Sequence, residues 1–499
     1  MNVPHVLVIG GGLAGLSAGC YLQLSGFQTE IFEAHRIPGG LLTGWSRKGY
    51  NIDGCIHGFL GSSTKHPYYQ MWNELLPMDE ISFIDYDKMF VFMFEDGHEF
   101  IIYSDLDQFQ RYLLKLAPED HRPIMELIND IKAIGKLDMS FMIKPRELYG
   151  ILDYLSMIRM VPALRLMRKW NKRTAEKFAE RFRHPFLRKA IRCFLSPVLM
   201  HMFVHSAMDQ KISGYPTIGS LGVAKLLAKK YTDLGGQLHA QSQVKKIIVE
   251  NNSAIGVTLQ DHSEIRGEIV ISAMDLHSTL YDLLDKKYID PPLRQTMNTF
   301  RLNSSRLQVS LGIAISSHDI PHSFKIIPHE PVTFGSNTGT EKHQFIDVLC
   351  YNEETNAAPP NKSLFIVQII TRNYDYWIDL RATNRDNYDQ EKQNVAETVI
   401  SLLETQLGTL QGKIEMIDVT TPATYYRYTN NWKGSIQGWD QENLFQNNPF
   451  KKQLSTLDNL YLAGHWVEPG GGVPTAFKSG RDVAQIICKR EKIKFMGKT

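Results

Sequence analysis

The sequence predicts an α/β protein, because a strand, a glycine cluster and a helix follow one another near each end of the 499-residue chain. Near the start, the apolar run His5–Ile9 precedes a group of glycines and the helical stretch Leu16–Leu24. Near the end, the strand-like run Asn459–His465 precedes a second glycine group and a helix expected from about Phe477 to Lys489. This repetition indicates that a strand–glycine–helix unit occurs near each end of the chain.

Segments between these two units predict further strands. Residues 80–105, 306–314 and 363–371 alternate apolar and polar side chains, which is typical of antiparallel strands in a separate sheet. Ile269–Ala273 reads as a buried strand that returns to the first sheet. The length favours two or three domains.

Composition excludes several classes of protein. Hydrophobic residues make up 43% of the chain and charged residues 22%, which indicates a folded globular protein. The five cysteines are scattered and form no CxxC pair, so we expect neither a disulfide framework nor a structural metal site. No apolar run approaches the roughly 20 residues needed to cross a bilayer. We therefore expect a cytoplasmic protein that could still lie on a membrane.

The first glycine group has the spacing of a dinucleotide-binding loop. Gly10 permits a tight turn, Gly12 lets the backbone approach a pyrophosphate, and Gly15 lets the following helix pack on the strand. Glu33 ends the second strand, 23 residues after Gly10, where it would bond a ribose hydroxyl and repel the 2′-phosphate of NADP. The loop also contains Leu13 and Ala14, and Glu33 is followed by Ala34.

Two further glycine segments favour FAD over NAD. Gly39 and Gly40, followed by Leu41 and Leu42, offer additional backbone N–H groups, as in the extended flavoprotein fingerprint. The C-terminal helix would direct its positive N-terminus at the flavin pyrimidine edge. A plain helix start on a glycine-rich turn is the alternative. The C-terminal candidates for cofactor contact are Gly464, His465, Gly472, Val473 and Ala476.

Together, these motifs resemble the FAD-dependent phytoene desaturase and carotenoid isomerase family, within the amine-oxidase-like flavoproteins. The similarity extends over blocks spread along most of the chain: 10–15 with Glu33, 49–54, 214–244, 422–435 and 464–480. The resemblance implies a discontinuous Rossmann-type FAD-binding domain with an inserted mixed-sheet and helical substrate domain. The implied boundaries assign 1–75, 214–282 and 430–499 to the FAD-binding domain, and 76–213 and 283–429 to the substrate domain.

The resemblance also implies a role for one residue, and the sequence departs from the family pattern at two places. It implies that the backbone of Val244 contacts the adenine end of FAD, although a plain core valine fits the pattern equally well. Many relatives have an acidic residue where this chain has His465. Desaturases often read Asp-x-Gly-Pro-Thr where this chain has Asp53–His57. FAD is still the predicted cofactor despite both departures, but these motifs do not determine which reaction is catalysed.

Three side chains are candidates for catalysis. His57 could serve as a general acid or base near neutral pH, or could be structural. Tyr428 and Trp439 could form aromatic walls beside the flavin, or could be core residues. The leading hypothesis is desaturation, saturation or isomerisation of carbon–carbon bonds in an apolar polyene, isoprenoid or unsaturated lipid. The alternatives are a flavin amine oxidase and a non-catalytic, membrane-associated flavin-binding protein. Neither a Ser-His-Asp spacing nor an HExxH motif supports a hydrolase.

Residues 144–192 contain 14 Lys or Arg and 4 Asp or Glu, a net charge of +10. Apolar residues are interleaved with this charge, which predicts basic amphipathic helices suited to an anionic membrane surface. A solvated lid over a pocket is the alternative. Nucleic acid is not expected as a partner, because no recognition module accompanies the charge. The interleaved apolar residues include Met157, Ile158, Met160, Leu164 and Trp170.

Overall fold

The computed structural model of the chain describes residues 3–137, 143–156, 161–195, 198–335, 341–440, 448–468 and 470–497. Its strands are β1 (His5–Ile9), β2 (Gln28–Phe32), β3 (Gly44–Arg47), β4 (Tyr50–Asp53), β5 (Phe59–Leu60), β6 (Phe83–Ile84), β7 (Lys88–Phe94), β8 (Glu99–Tyr103), β9 (Ser213–Pro216), β10 (Gln237–His239), β11 (Val244–Glu250), β12 (Ser253–Leu259), β13 (Glu264–Arg266), β14 (Ile269–Ser272), β15 (Ser305–Ile313), β16 (Ser323–Ile327), β17 (Ile346–Tyr351), β18 (Ser363–Thr371), β19 (Ile414–Thr420) and β20 (Leu460–Leu462).

Helices alternate with these strands along most of the chain. The α-helices are α1 (Leu13–Leu24), α2 (Pro67–Asn73), α3 (Leu106–Leu116), α4 (His121–Ile134), α5 (Ile151–Ser156), α6 (Val161–Asn171), α7 (Ala175–Ala179), α8 (Pro185–Phe194), α9 (Val198–Asp209), α10 (Gly219–Asp233), α11 (Leu276–Ser278), α12 (Pro291–Thr299), α13 (Tyr374–Thr383), α14 (Arg385–Leu407), α15 (Pro422–Thr429) and α16 (Gly472–Arg490).

A five-stranded parallel sheet joins both ends of the chain. Its strand order is β10-β2-β1-β14-β20, and every neighbouring pair is parallel. Alternate residues of β1 point to opposite faces, so Val6 and Val8 pack towards α1, α10 and α16, whereas Leu7 and Ile9 pack towards the β11–β13 sheet. The predicted α/β fold, with a strand at Ile269 and another at Leu460, is confirmed.

The second large sheet of the molecule has seven strands and is mixed. Its order is β19-β15-β18-β17-β16-β7-β8, and all its pairs are antiparallel except the parallel pair β16–β7. The strands predicted within 80–105 and at 306–314 and 363–371 are all present. One face packs against α13 and α14, where Trp377 and Val395 are fully buried. The domain boundaries stay a prediction.

The described parts of the basic segment 144–192 are mostly helical, but their apolar residues divide into two groups. Trp170 is 1% exposed and donates its indole N–H to Asp130 of α4, so it belongs to the core rather than to an outer face. Ile151 and Leu152 are 81% and 80% exposed. Leu164 is also exposed, while Met157, Ile158 and Met160 lie outside the described residues.

Helix α16 begins earlier than the sequence predicts. It starts at Gly472 rather than near Phe477, and Pro474 lies in its first turn, where a missing N–H breaks no helical hydrogen bond. Among the described helices, none alone has both the length and the apolar composition to cross a bilayer. Helices α8 and α9 satisfy those criteria only as a pair with a 90° bend between them.

Candidate active site

The loop between β1 and α1 has little room for side chains. Gly10 has φ of +97°, and a Cβ on Gly15 would lie 2.0 Å from the Gly10 carbonyl oxygen. Gly12 caps α1 in an ordinary extended conformation, and no side chain caps this helix end. A Cβ on Gly12 would meet nothing closer than 3.9 Å. The N–H groups of the first turn therefore face a space that the protein itself leaves open.

Glu33 is fixed beside this loop. Its carboxylate accepts hydrogen bonds from the backbone N–H groups of Gly11 (2.8 Å) and His35 (2.7 Å). Burial raises the pKa of Glu33, although both hydrogen bonds oppose that shift. The backbone carbonyl of Glu33 accepts from Ser242, two residues before Val244, which is 5% exposed. The structure thus brings the predicted ribose and adenine residues to one place.

The second glycine pair lies against the first loop. The Gly39 N–H donates to the Gly11 carbonyl (2.8 Å), and Leu42 donates back to Gly39. Gly39 and Gly40 have φ of +130° and +61°, conformations that favour glycine. Gly12 faces this pair, so three glycines line one cradle. Near it, Leu41 is partly buried and Ala34 is exposed.

The C-terminal glycine segment reaches the same helix from the other side. A Cβ on Gly464 would lie 3.9 Å from that of Ala14, and the Gly464 N–H donates to Ser479 of α16 (2.9 Å). Gly471 and Gly472 begin α16 with φ of +61° and +74°, and no side chain caps this end either. The N-terminal and C-terminal glycine segments predicted from the sequence therefore lie in contact. Val473 and Ala476, both partly exposed, lie in the first turns of α16.

His465 follows Gly464 and points a nitrogen into the interior. Its Nε2 is buried and has no hydrogen-bond partner within the described ranges. Burial lowers its pKa to about 4, so the ring is neutral at pH 7. A Cβ on Gly438 would lie 3.2 Å from the His465 ring. A buried nitrogen left unsatisfied at this point fits a ligand that supplies the missing partner.

The two aromatic candidates lie in different surroundings. Trp439 is 1% exposed and stacks on Phe450, with ring centroids 5.4 Å apart and an interplanar angle of 1°. Tyr428 is 45% exposed, and its ring lies 5.1 Å from that of His35 in an edge contact. Trp439 also makes an edge contact with Trp466, the residue that follows His465, whereas Tyr428 lies beside the Glu33 loop. Their roles as flavin walls stay predictions.

His57 lies on the inner face of the seven-stranded sheet. Its Nε2 is 3.1 Å from the amide nitrogen of Gln368, which can only donate, so the ring nitrogen accepts. The side chain faces an open space, but the surrounding protein limits its hydration, and this desolvation together with the nearby Arg306 lowers its pKa to about 3. His57 is consequently neutral at pH 7, which disfavours a protonated general acid. No sequence motif marks Gln368 or Arg306, since each is an isolated polar residue in a strand.

The family follows from a match along nearly the whole chain. A family model described as "Flavin containing amine oxidoreductase" matches residues 13–488. The chain belongs to this family. The chain is accordingly an FAD-dependent oxidoreductase, which confirms the predicted cofactor. Two uncapped helix ends, a glycine cradle that a Cβ would fill and the unpartnered His465 nitrogen fit an FAD molecule spanning both ends of the chain.

Relatives of the chain include enzymes named for carotenoid reactions. A 4,4'-diapophytoene desaturase (4,4'-diapolycopene-forming) from Methylomonas sp is 24% identical, and the alignment covers 99% of this chain and 97% of the relative. A prolycopene isomerase from Daucus carota is 25% identical over 95% of this chain and 78% of the relative. A putrescine oxidase structure with redesigned cofactor binding shares the fold, with a TM-score of 0.62, 12% identity and coverage of 98% and 99%.

Proposed function

We propose that this enzyme uses FAD to desaturate, saturate or isomerise carbon–carbon bonds of an apolar polyene. The observation that carries the proposal is the alignment with the diapophytoene desaturase over almost the full length of both chains. The alignment with the prolycopene isomerase supports the same substrate class. Desaturation, saturation and isomerisation share a need for a polyene aligned with a flavin, so the proposal covers all three.

The cofactor contacts are part of this proposal. The N-terminal loop and Glu33 hold the adenosine and pyrophosphate, while the C-terminal segment and α16 hold the flavin end. When bound, FAD supplies the redox chemistry. The proposed contact residues are Gly10, Gly12, Leu13, Ala14, Gly15, Glu33, Ala34, Gly39, Gly40, Leu41, Leu42, Val244, Gly464, His465, Gly472, Val473 and Ala476.

The protein's own contribution to the reaction is positioning. His57, neutral at pH 7, accepts a hydrogen bond from Gln368 and keeps one ring N–H for a ligand. Trp439, buried against Trp466, would form an apolar wall beside the flavin end. Tyr428 lies farther out, beside His35, where it would shield the adenosine half.

The test begins with purified holoenzyme and mass spectrometry of the apolar compounds that co-purify with it. Oxidised enzyme is then mixed anaerobically with hydrocarbon polyenes, and flavin absorbance and product are followed. Bleaching of the oxidised flavin with gain of a double bond, re-oxidation of pre-reduced flavin with loss of a double bond, or isomerisation without net bleaching supports the proposal. Hydrogen peroxide formed with an amine, with polyenes unchanged, would replace it by an amine oxidase. A flavin that stays oxidised and polyenes that stay unchanged would favour the non-catalytic alternative.

We further propose that the exposed part of the basic segment contacts an anionic membrane. Ile151, Leu152 and Tyr154 expose most of their area, while Lys169 and Arg173 form ion pairs with Glu126 of α4. These ion pairs neutralise part of the segment's positive charge. The exposed apolar residues Ile151 and Leu152 of α5 and Leu164 of α6 place the proposed contact on these two helices. Such contact would let an apolar substrate pass from lipid to enzyme without entering water.

A further inference from the structure

Arg306 carries a positive charge for which the protein provides no counter-charge. Its side chain forms no ion pair and no hydrogen bond within the described ranges, and its Nε is buried. The guanidinium carbon lies 6.0 Å from the ring centre of Tyr425. Asp53 is occupied elsewhere, because its carboxylate accepts from Ser220 and from Tyr215. Arg306 is half-buried, and leaving its desolvated Nε–H unpaired is costly, so we look to a ligand for the missing anion.

The sheet register places other ligand-binding groups beside Arg306. Across β15 and β18, Arg306 is opposite Ile370, and Gln308 is opposite Gln368. Since alternate residues of a strand share a face, these four side chains form one patch. His57 covers the patch from the side of β4 and bonds to Gln368. We call these five residues the sheet-face recess.

The sheet-face recess is open and has one permanent charge. Ile370 is 48% exposed although β18 is an inner strand, and His57 is also exposed. The Oε1 of Gln308 is buried and has no hydrogen-bond partner in the described part of the chain. With His57 neutral, Arg306 is the only charged member of this set. The recess therefore combines one cation, amide groups and an apolar floor.

The sheet-face recess lies next to the proposed flavin end. Just before β15, the Asn303 N–H donates to the Gly438 carbonyl (2.8 Å), and Ser304 accepts from Ile436. Gln437, between these two residues, lies against Gly471 at the start of α16, where an added Cβ would be 2.9 Å from its side chain. A molecule in the recess would therefore lie near the N-terminus of α16, because the chain segment that precedes β15 is linked to that helix end through residues 436–438.

We propose that the substrate is a polyene bearing a carboxylate, which pairs with Arg306 while the conjugated chain lies over Ile370. This inference rests on the proposed polyene function and narrows it. The planar guanidinium matches a carboxylate with two parallel hydrogen bonds. A pure hydrocarbon in the same space would leave the Arg306 guanidinium without a counter-charge, which disfavours its binding.

The test compares two probes that differ in one charge. All-trans-retinoic acid and its methyl ester have the same conjugated chain, and binding of each to the holoenzyme is measured by flavin fluorescence. We expect the acid to bind more tightly by on the order of tenfold to a hundredfold. Arg306→Gln should abolish this preference, and Arg306→Lys, which retains the charge, should keep most of it. Flavin content is measured for each variant.

The outcomes separate this inference from the function on which it rests. Equal binding of acid and ester by the unmodified enzyme, or a preference unchanged in Arg306→Gln, would overturn the carboxylate inference alone. Conversion of hydrocarbon polyenes together with such equal binding would leave the proposed function standing. Failure of the enzyme to bind any polyene, charged or neutral, would overturn both.

Discussion

Gly12 and Gly15, two glycines of the β1–α1 segment, have different surroundings. A substitution at one should therefore affect cofactor binding, and a substitution at the other should affect the stability of the fold. A Cβ on Gly15 would lie 2.0 Å from the Gly10 carbonyl oxygen, whereas one on Gly12 would have no protein atom within 3.9 Å. Gly12 also has φ of −72°, which alanine adopts without strain. The Gly12 position is therefore restricted by what the loop binds, and the Gly15 position by the loop itself.

We predict opposite results for alanine at these two positions. Gly12→Ala should leave the apoprotein within about 1 kcal/mol of its original free energy of unfolding, but should weaken FAD binding by tenfold or more, on the order expected from one lost close contact. Gly15→Ala should lower the apoprotein's stability by about 2–3 kcal/mol, because the backbone must move. Urea unfolding of apoprotein and FAD titration measure the two effects. Unaltered FAD affinity in Gly12→Ala would contradict the proposed pyrophosphate site.

A buried histidine should make the protein sensitive to acid. His205 is fully buried, its Nε2 bonds to the Tyr103 carbonyl, and burial lowers its pKa from 6.5 to about 4. Between pH 6.5 and 4 the unfolded chain binds a proton that the folded chain does not, so stability falls as pH falls through this window.

His205→Gln keeps an N–H donor and removes the titration. We expect the loss of unfolding free energy between pH 7 and pH 4.5 to be about 1–3 kcal/mol smaller than in the unmodified protein. Urea unfolding at both pH values measures it. The exposed His262 supplies a control, since His262→Gln should leave the pH dependence unchanged. An equal dependence in His205→Gln would show that this histidine does not contribute.

At the scale of elements, strands were easier to predict than the side chains that face the substrate. Apolar runs and alternation identified β1, β14, β15 and β18, because a buried strand leaves a period in the sequence. The predicted start of α16 is five residues too late, because consecutive glycines and Pro474 are not typical of the first turn of a helix. Arg306 and Gln368 meet on one face only through the register of two distant strands, which no local pattern encodes.

Helices α5 and α6 carry the membrane prediction. Leu152→Glu should reduce sedimentation with anionic vesicles by about tenfold or more, because the contact loses one buried leucine side chain. Ile417→Glu, at an exposed position on the edge strand β19, is the matched control and should sediment like the unmodified protein. Binding should also weaken with salt. Equal sedimentation of the two variants would assign α5 and α6 to a solvated lid.

At the scale of the whole molecule, the cofactor site depends on contact between the two ends of the chain. Helix α16 packs on α1 so closely that a Cβ on Gly480 would lie 2.2 Å from the Ala14 carbonyl oxygen. The Ser17 hydroxyl donates to the Phe477 carbonyl (2.7 Å), which fixes the same pair of helices. The resemblance implied that both glycine segments belong to one FAD-binding domain, and the structure shows the contact between α1 and α16 that joins them.

We predict that Gly480→Ala weakens FAD binding although residue 480 is not among the proposed cofactor contacts. The added methyl group pushes α16 away from α1, so the two halves of the site no longer match, and the apoprotein loses about 1–3 kcal/mol of stability. Lys489→Ala, an exposed position on the same helix, should change neither quantity. FAD titration and thermal unfolding, with and without FAD, measure both effects. A destabilised Gly480→Ala protein with unchanged FAD affinity would mean that the N-terminal unit binds FAD without help from α16.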